Sequence, residues 1–473
     1  MSNRGKGAGL LSLLWKAVLA IVVIVLLIVG GMLAQQSVDT PESNAKKDIK
    51  YVFLFIGDGM GLSHVEAAQK YSGEQFSFTQ MDVHGVVNTD NAYGEVTDSA
   101  AAATAMACGE RTANGVLGMS KNLEKPYDTI LEKLKKKGWH TGIVTTTPIN
   151  HATPAAFYAH VKDRRDYYNI GLQVIENGTV DYLAGGAFEE WNKKGNDLYA
   201  LAKSKGYTVL DHSLEVLNSP EKRHLPIIAT LKGSYNGSSM EYELDRLRRE
   251  ERGDNIASLP KLVKNGISTL GSENRFFMIV ESGMIDSASH CGDVGSALAE
   301  TVVLDQSVQE ALKFADNHKD ETLILVTSDH ESGGLTLMPG SNLSIYKNQK
   351  ISYSRFEKMI KEIIDAGFQF DEGMKRIKKY FNMGSEADIS LSSKEIRQLQ
   401  IAYQEAIDSG NKKDLFVNLV FQLLQKKSKI SFHSNGHTGE PVEIYAQGVG
   451  ADRFGGWYDN TAIYDKLKKL LDF

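Results

Sequence analysis

From Tyr51 onwards, short apolar runs alternate with stretches in which apolar residues recur three and four positions apart, the pattern of buried strands joined by crossover helices. The runs at 51–56, 141–145, 275–280, 322–327 and 442–447 are predicted as strands, and each ends close to a cluster of polar residues or glycines. The fold class that follows is α/β. In an open α/β sheet the ligand site lies beyond the carboxyl ends of the strands, so those clusters are where chemistry is sought. Between about residues 335 and 430 the strand pattern lapses and helical periodicity takes over, notably at 353–366 and 392–424. This predicts a helical insertion, after which Val442 resumes the sheet and residues 460–471 form a closing helix. There is no internal repeat or low-complexity tract.

The first fifty residues follow another pattern. Arg4, Lys6 and Lys16 precede the uncharged segment 17–34, which is long enough to span a bilayer. A cleavable signal has a shorter apolar region and small residues at its cut site. The expectation is an uncleaved membrane anchor at 1–34, with a cleaved signal as the alternative. The positive flank places the N-terminus in the cytoplasm and the remainder outside, on the periplasmic or extracellular face. Residues 35–49 are polar and read as a tether to the part at 50–473.

The chain's 473 residues, 42% of them hydrophobic, suffice for one large α/β domain with an insertion. A net charge of −6 from 53 basic and 59 acidic residues, with no long run of either sign, argues against a nucleic-acid partner. Cys108 and Cys291 are too few for a disulfide framework.

Three clusters carry candidate chemistry. In the first, an apolar strand ends in Asp58 flanked by Gly57 and Gly59, which suits either a metal ligand or a capped glycine turn. In the second, Ser99 follows Asp98 and opens an alanine-rich run, so it stands where a helix N-terminus favours an anion, or it is a plain cap. The third pairs carboxylates with imidazoles at strand ends: Glu281, Asp286 and His290 after one strand, Asp329 and His330 after another, with His437 before the last. Such donors suit Zn²⁺, and all-oxygen sets suit Mg²⁺.

Taken in order, GDGMG at 57–61, DSAAAATA at 98–105, ATPAAFYAHVKDR at 152–164, VESGMIDSASH at 280–290, TSDHE at 327–331 and HTGE at 437–440 resemble the alkaline phosphatase family across roughly residues 50–473. The resemblance implies a three-layer α/β/α sandwich with a mainly parallel central sheet, the insertion standing where this family has its variable crown. It also implies hydrolysis of phosphate monoesters through a phosphoserine on Ser99, commonly by a homodimer. Asp286, His290 and His437 match the ligands of one zinc, and Asp58, Asp329 and His330 those of a second. Thr153 and Glu281, with Asp58 bridging, match a magnesium site. Arg164 matches the arginine that clamps two phosphate oxygens; Arg165 beside it makes register a question, settled for Arg164 by the spacing from Thr153. His151 stands where the enterobacterial pattern has an aspartate, and Ser287 where it has a lysine. Both are expected beside the site, loosening phosphate binding and altering the magnesium response. Cys291 is expected to pack rather than to bind metal.

Two other readings share these residues. A phosphodiesterase, phosphonate hydrolase or sulfatase of the wider superfamily would keep the fold; the sulfatases are disfavoured because no cysteine holds the nucleophile position. A membrane-tethered binding protein with a dead site would lack a ligand, and none is missing from the sequence.

Overall fold

The computed structural model describes residues 48–211, 225–231, 237–271, 274–409 and 413–473. The expected anchor at 1–34 and nearly all of the tether lie outside these residues. Among the described residues no helix is long and apolar enough to cross a membrane.

Ten strands form one mixed sheet: β1 Tyr51–Gly57, β2 Val83–Asn88, β3 His140–Pro148, β4 Tyr182–Gly186, β5 Thr208–Asp211, β6 Ile227–Thr230, β7 Phe276–Ser282, β8 Thr322–Thr327, β9 Val442–Gly448 and β10 Gly456–Asp459. Their lateral order is β10-β2-β9-β8-β1-β7-β3-β4-β6-β5. Every neighbouring pair is parallel except those made by β9, which runs antiparallel to β8 and β2. The central strands are apolar without alternation because both of their faces are covered. Tyr51, Phe53 and Phe55 enter one apolar cluster together with Phe276, Met278 and Val326, while Val52, Leu54 and Ile56 enter another with Phe277, Ile279 and Leu325. Helix α1 (Leu62–Ser72) supplies Val65 to the first cluster, and α2 (Ser99–Cys108) supplies Ala100 and Met106 to the second.

The five expected strands are present, four of them within two residues of their expected ends and the one expected at 141–145 running on to Pro148, whereas β2, β4, β5, β6 and β10 were not anticipated. These lie toward the sheet's flanks and are short or carry glycine, as in Val83–Asn88 and Tyr182–Gly186, which weakens an apolar run. Five further helices matter here: α3 (Ala152–Ala155), α4 (Glu243–Glu250), α5 (Met284–His290), α6 (Val294–Ala315) and α7 (Tyr353–Asp365). The helical stretch expected across 392–424 carries α9 (Ser393–Ser409) and α10 (Lys413–Ser428). An unanticipated helix, α8 (Phe370–Phe381), precedes them; Gly373 in its first turn disguised it, and a Cβ there would come within 3.0 Å of the Tyr403 ring. The chain enters and leaves this helical region through one short antiparallel ladder, Thr336 against Ser431 and Leu337 against Ile430.

Candidate active site

Strand register assembles the site. Ile56 of β1 lies opposite Thr327 of β8 on one side and Glu281 of β7 on the other. Continuing two residues past Ile56 and Thr327 therefore brings Asp58 and Asp329 to the same sheet edge as Glu281. Gly59 follows at φ +74°, and a Cβ on it would stand 2.9 Å from Ser332 Oγ and 3.0 Å from Asp286 Cα, so only glycine fits. Its N–H donates to Asp329 Oδ1 at 3.2 Å. Helix α5 carries Asp286 and His290 one turn apart, and His437 arrives on a two-residue ladder that pairs it with Ser332.

Among the described residues, donor atoms converge in three groups, each with its atoms within 4.8 Å of one another: Asp286, His290 and His437; Asp58, Asp329 and His330; and Asp58, His151 and Glu281. Asp58 is common to two of them. Thr153, fully buried at the start of α3, donates its hydroxyl to Asp58 Oδ2 at 3.2 Å. His151, expected beside the magnesium position, has a ring nitrogen within 4.8 Å of carboxylate oxygens of Asp58 and Glu281.

Ser99 is the first residue of α2, capped by Asp98, whose Oδ1 accepts from Ala101 N at 3.0 Å. Its hydroxyl is 3.3 Å from His330 Nε2, so the serine and one donor group are in direct contact. Asp98 Oδ2 accepts both from Arg164 Nη1 and from Gly115 N, each at 3.0 Å, which turns the guanidinium toward Ser99's end of the helix. Arg164 Nη2 donates to His151 Nε2 at 3.1 Å. Arg165 points away, with a side chain 79% exposed and its fork on Asp163. Ser287 is half-buried and bonds back to the Gly283 carbonyl at 3.5 Å, within its own helix. Cys291 is half-buried and in none of the three groups, its thiol pushed up to about 12 by burial.

The electrostatics explain what the site needs. Burial, then the neighbouring Asp329, Asp286 and Glu281, hold Asp58 well above the usual carboxylate range. Burial pushes Asp329 and Glu281 up to about 7, the latter against hydrogen bonds from Thr145 and Thr147. Burial lowers His330 to about 4 and His151 to about 3, so each ring is held neutral with a lone pair on one nitrogen, which for His151 is the Nε2 that accepts from Arg164. His290 is raised to about 9 by its bond to Asp286, and burial lowers His437. Burial would raise Asp286 too, but the bond from His290 and the nearby His330 and His437 outweigh it and hold the carboxyl low. Asp58 Oδ1, Glu281 Oε1, Asp329 Oδ2 and His151 Nδ1 are buried without a hydrogen-bond partner. Several carboxylates crowded out of water, each with an unpaired donor atom, are a poor arrangement for a neutral core and a suitable one for divalent cations.

Other residues complete the site without having stood out in the sequence. The hydroxyls of Thr145 and Thr147 hold Glu281 Oε2, and leave its other oxygen free. Ser332 donates to Asp286 Oδ1. His64, fully buried in α1, meets Ser289 Oγ at 3.1 Å and so braces α5. Register was the available signal for one of them, since Thr145 lies directly opposite Glu281.

The alkaline phosphatase family model matches residues 49–473. The chain belongs to the alkaline phosphatase family. It is 29% identical over 458 residues to alkaline phosphatase 3 of Bacillus subtilis, spanning 94% of each protein. Against alkaline phosphatase of Escherichia coli it is 30% identical over 350 residues, covering 63% of this chain and 73% of that one. The structure of a cold-active alkaline phosphatase from a psychrophilic Shewanella superposes with a TM-score of 0.76 at 26% identity, over 89% of this chain and 99% of the other. An alkaline phosphatase fold thus carries the three donor groups described above, and metal cofactors suit them.

Proposed function

We propose that this alkaline phosphatase hydrolyses phosphate monoesters to an alcohol and inorganic phosphate through a phosphoserine on Ser99, with two zinc ions and one magnesium ion as cofactors. The observation that carries this reading is the 3.3 Å contact between Ser99 Oγ and His330, a member of one donor group, at a helix N-terminus that Arg164 flanks. Asp286, His290 and His437 are assigned to one zinc, and Asp58, Asp329 and His330 to the other, since mixed nitrogen and oxygen donors suit that ion. Asp58, Glu281 and Thr153 are assigned to magnesium, with His151 adding a nitrogen to an otherwise all-oxygen set.

When bound, such cations neutralise charge on the attacking and leaving oxygens of a phosphoryl transfer. Arg164, already oriented by Asp98, presents its fork to two phosphate oxygens. The first backbone N–H groups of α2 and the helix dipole face the same anion. Ser99 Oγ bonds to phosphorus as the ester P–O bond breaks and the alcohol departs; water then bonds to phosphorus, the Oγ–P bond breaks, and Ser99 is restored. A chromogenic phosphate monoester, assayed with the full chain across the neutral to alkaline range, tests this. Turnover abolished by chelation and by Ser99→Ala, with little on a matched diester, is the expected result; turnover of the diester alone would sink it.

The uncharged segment 17–34 behind three cations further supports tethering at a membrane, with the catalytic part outside the cytoplasm and 35–49 as spacer. Association as a homodimer is read from the family resemblance. Recovery of activity from washed membranes, and its release by truncation before Asp48, tests the tether; sedimentation of the released enzyme tests the dimer.

A further inference from the structure

A second cavity, of about 390 Å³, opens between α4, the turn at 347–350 and the end of α8. Arg248, Lys347, Lys350 and Lys379 line it, against a single carboxylate, Glu251. The chain's net charge is −6, so such a gathering of cations runs against its average. Elsewhere in the same helical region cations are neutralised: Lys375 and Arg376 pair with Glu372, and Lys426 and Lys427 with Glu395. Among the described residues, none of the four cations in the cleft has a carboxylate within ion-pair reach.

Tyr380 organises them. Its ring is 5% exposed and belongs to the apolar core, which makes it a fixed platform. The Arg248 guanidinium lies 4.6 Å from the ring centre and donates Nη2 to the phenol oxygen at 3.1 Å. Lys379 Nζ is 5.4 Å from the same centre. Lys350 is tied to this platform by its N–H, which donates to the Tyr380 carbonyl at 2.9 Å, and its Nζ reaches the Lys347 carbonyl at 2.9 Å. Like charges collected in a concavity repel one another, and a bound anion relieves that repulsion. The cavity, at about 390 Å³, has more room than one phosphate group fills, and its cations come from three separate elements, so a chain of linked phosphates suits it better than one compact anion.

We propose that this cleft binds an oligophosphate, a small polyanion of two or more linked phosphate groups, apart from the catalytic centre. Tyr71, near the far end of α1, lies on the cleft wall, whereas the near end of α1 starts beside Asp58. At about 1.5 Å per residue the helix separates the two places by roughly 14 Å. Inorganic polyphosphate and a nucleoside triphosphate share this chemistry, and the Tyr71 ring would add stacking for the second.

The test titrates the full chain carrying Ser99→Ala, in magnesium buffer, with tripolyphosphate and separately with ATP, by calorimetry. Two binding events are expected. Lys350→Glu with Lys379→Glu should weaken one at least tenfold and leave the other intact, while Arg164→Ala does the reverse. In the chain with Ser99 present, the paired lysine variant should keep monoester kcat/KM within about twofold. Tighter binding of ATP than of tripolyphosphate at the cleft would mark the nucleotide as its ligand; equal binding would mark the phosphate chain. A lysine variant that titrates like its parent, or a single event abolished by Arg164→Ala, would overturn the proposal. Breakdown of the probes by the Ser99→Ala chain would count against Ser99 as nucleophile without touching the cleft.

Discussion

Glu300, in α6, is 2% exposed and lies outside the catalytic groups, and its burial gives the fold a response to alkali. Its Oε1 accepts from Glu243 N at 2.7 Å, with Glu243 itself held by Arg246. Burial, only partly opposed by that N–H, pushes the Glu300 carboxyl up from 4.5 to about 8. Between those two values the folded chain keeps a proton that the unfolded chain has released, so stability falls as pH rises through the window and does not fall further above it. At about 1.4 kcal/mol per pKa unit, the full interval corresponds to a loss of about 5 kcal/mol. Glu300→Gln preserves an acceptor for the Glu243 N–H and carries no charge. We expect the variant to match its parent near pH 5 and to exceed it by roughly 2–4 kcal/mol near pH 9. Denaturant midpoints of the metal-loaded enzyme at both pH values measure this. Parallel pH profiles for parent and variant would refute the reasoning, because some other group would then carry the dependence.

Arg164→Ala should weaken inhibition by inorganic phosphate by about 10- to 100-fold, a charge-assisted fork being worth roughly 1.5–3 kcal/mol, whereas Arg165→Ala should change it less than twofold; inhibition constants decide between them. Chelation should lower the melting temperature more at pH 9 than at pH 6, because Asp329 and Glu281, raised to about 7, must then be charged and unpaired; calorimetry with and without chelator reads the difference. His151→Asp combined with Ser287→Lys should tighten phosphate inhibition and shift the magnesium response; titrations of both that overlay those of the parent would contradict it.

The parts of the site that stand at strand ends were legible in the sequence. Asp58 and Asp329 each follow an apolar run by a fixed step, and parallel strands in register bring equal steps together. Ser99 was legible as a helix-opening residue, but Asp98 only as its cap; that a second oxygen of the same carboxylate orients Arg164 depends on a loop 66 residues away. Thr145, Thr147 and Ser332 stayed hidden because a hydroxyl in a strand looks the same whether it faces a carboxylate or another strand. That His151 has a ring nitrogen near Asp58 and Glu281 was hidden for a related reason: the turn after β3 decides which neighbour of Thr153 comes close to them. The flanking strands escaped because they are short, as Ile227–Thr230 is, or carry glycines that dilute the pattern, as Tyr182–Gly186 does.

The Leu337–Ile430 ladder closes the helical region where it begins. The region also docks on the body of the fold, Ser352 on Asp245 and Gln349 and Tyr353 on Asp293, so the chain between the two ends of the ladder is held along its length as well as at its ends. Length can change most readily in its outward turns, where neither the ladder nor the contacts to Asp245 and Asp293 are touched. Surface recognition can then diversify while the chemistry is inherited unchanged.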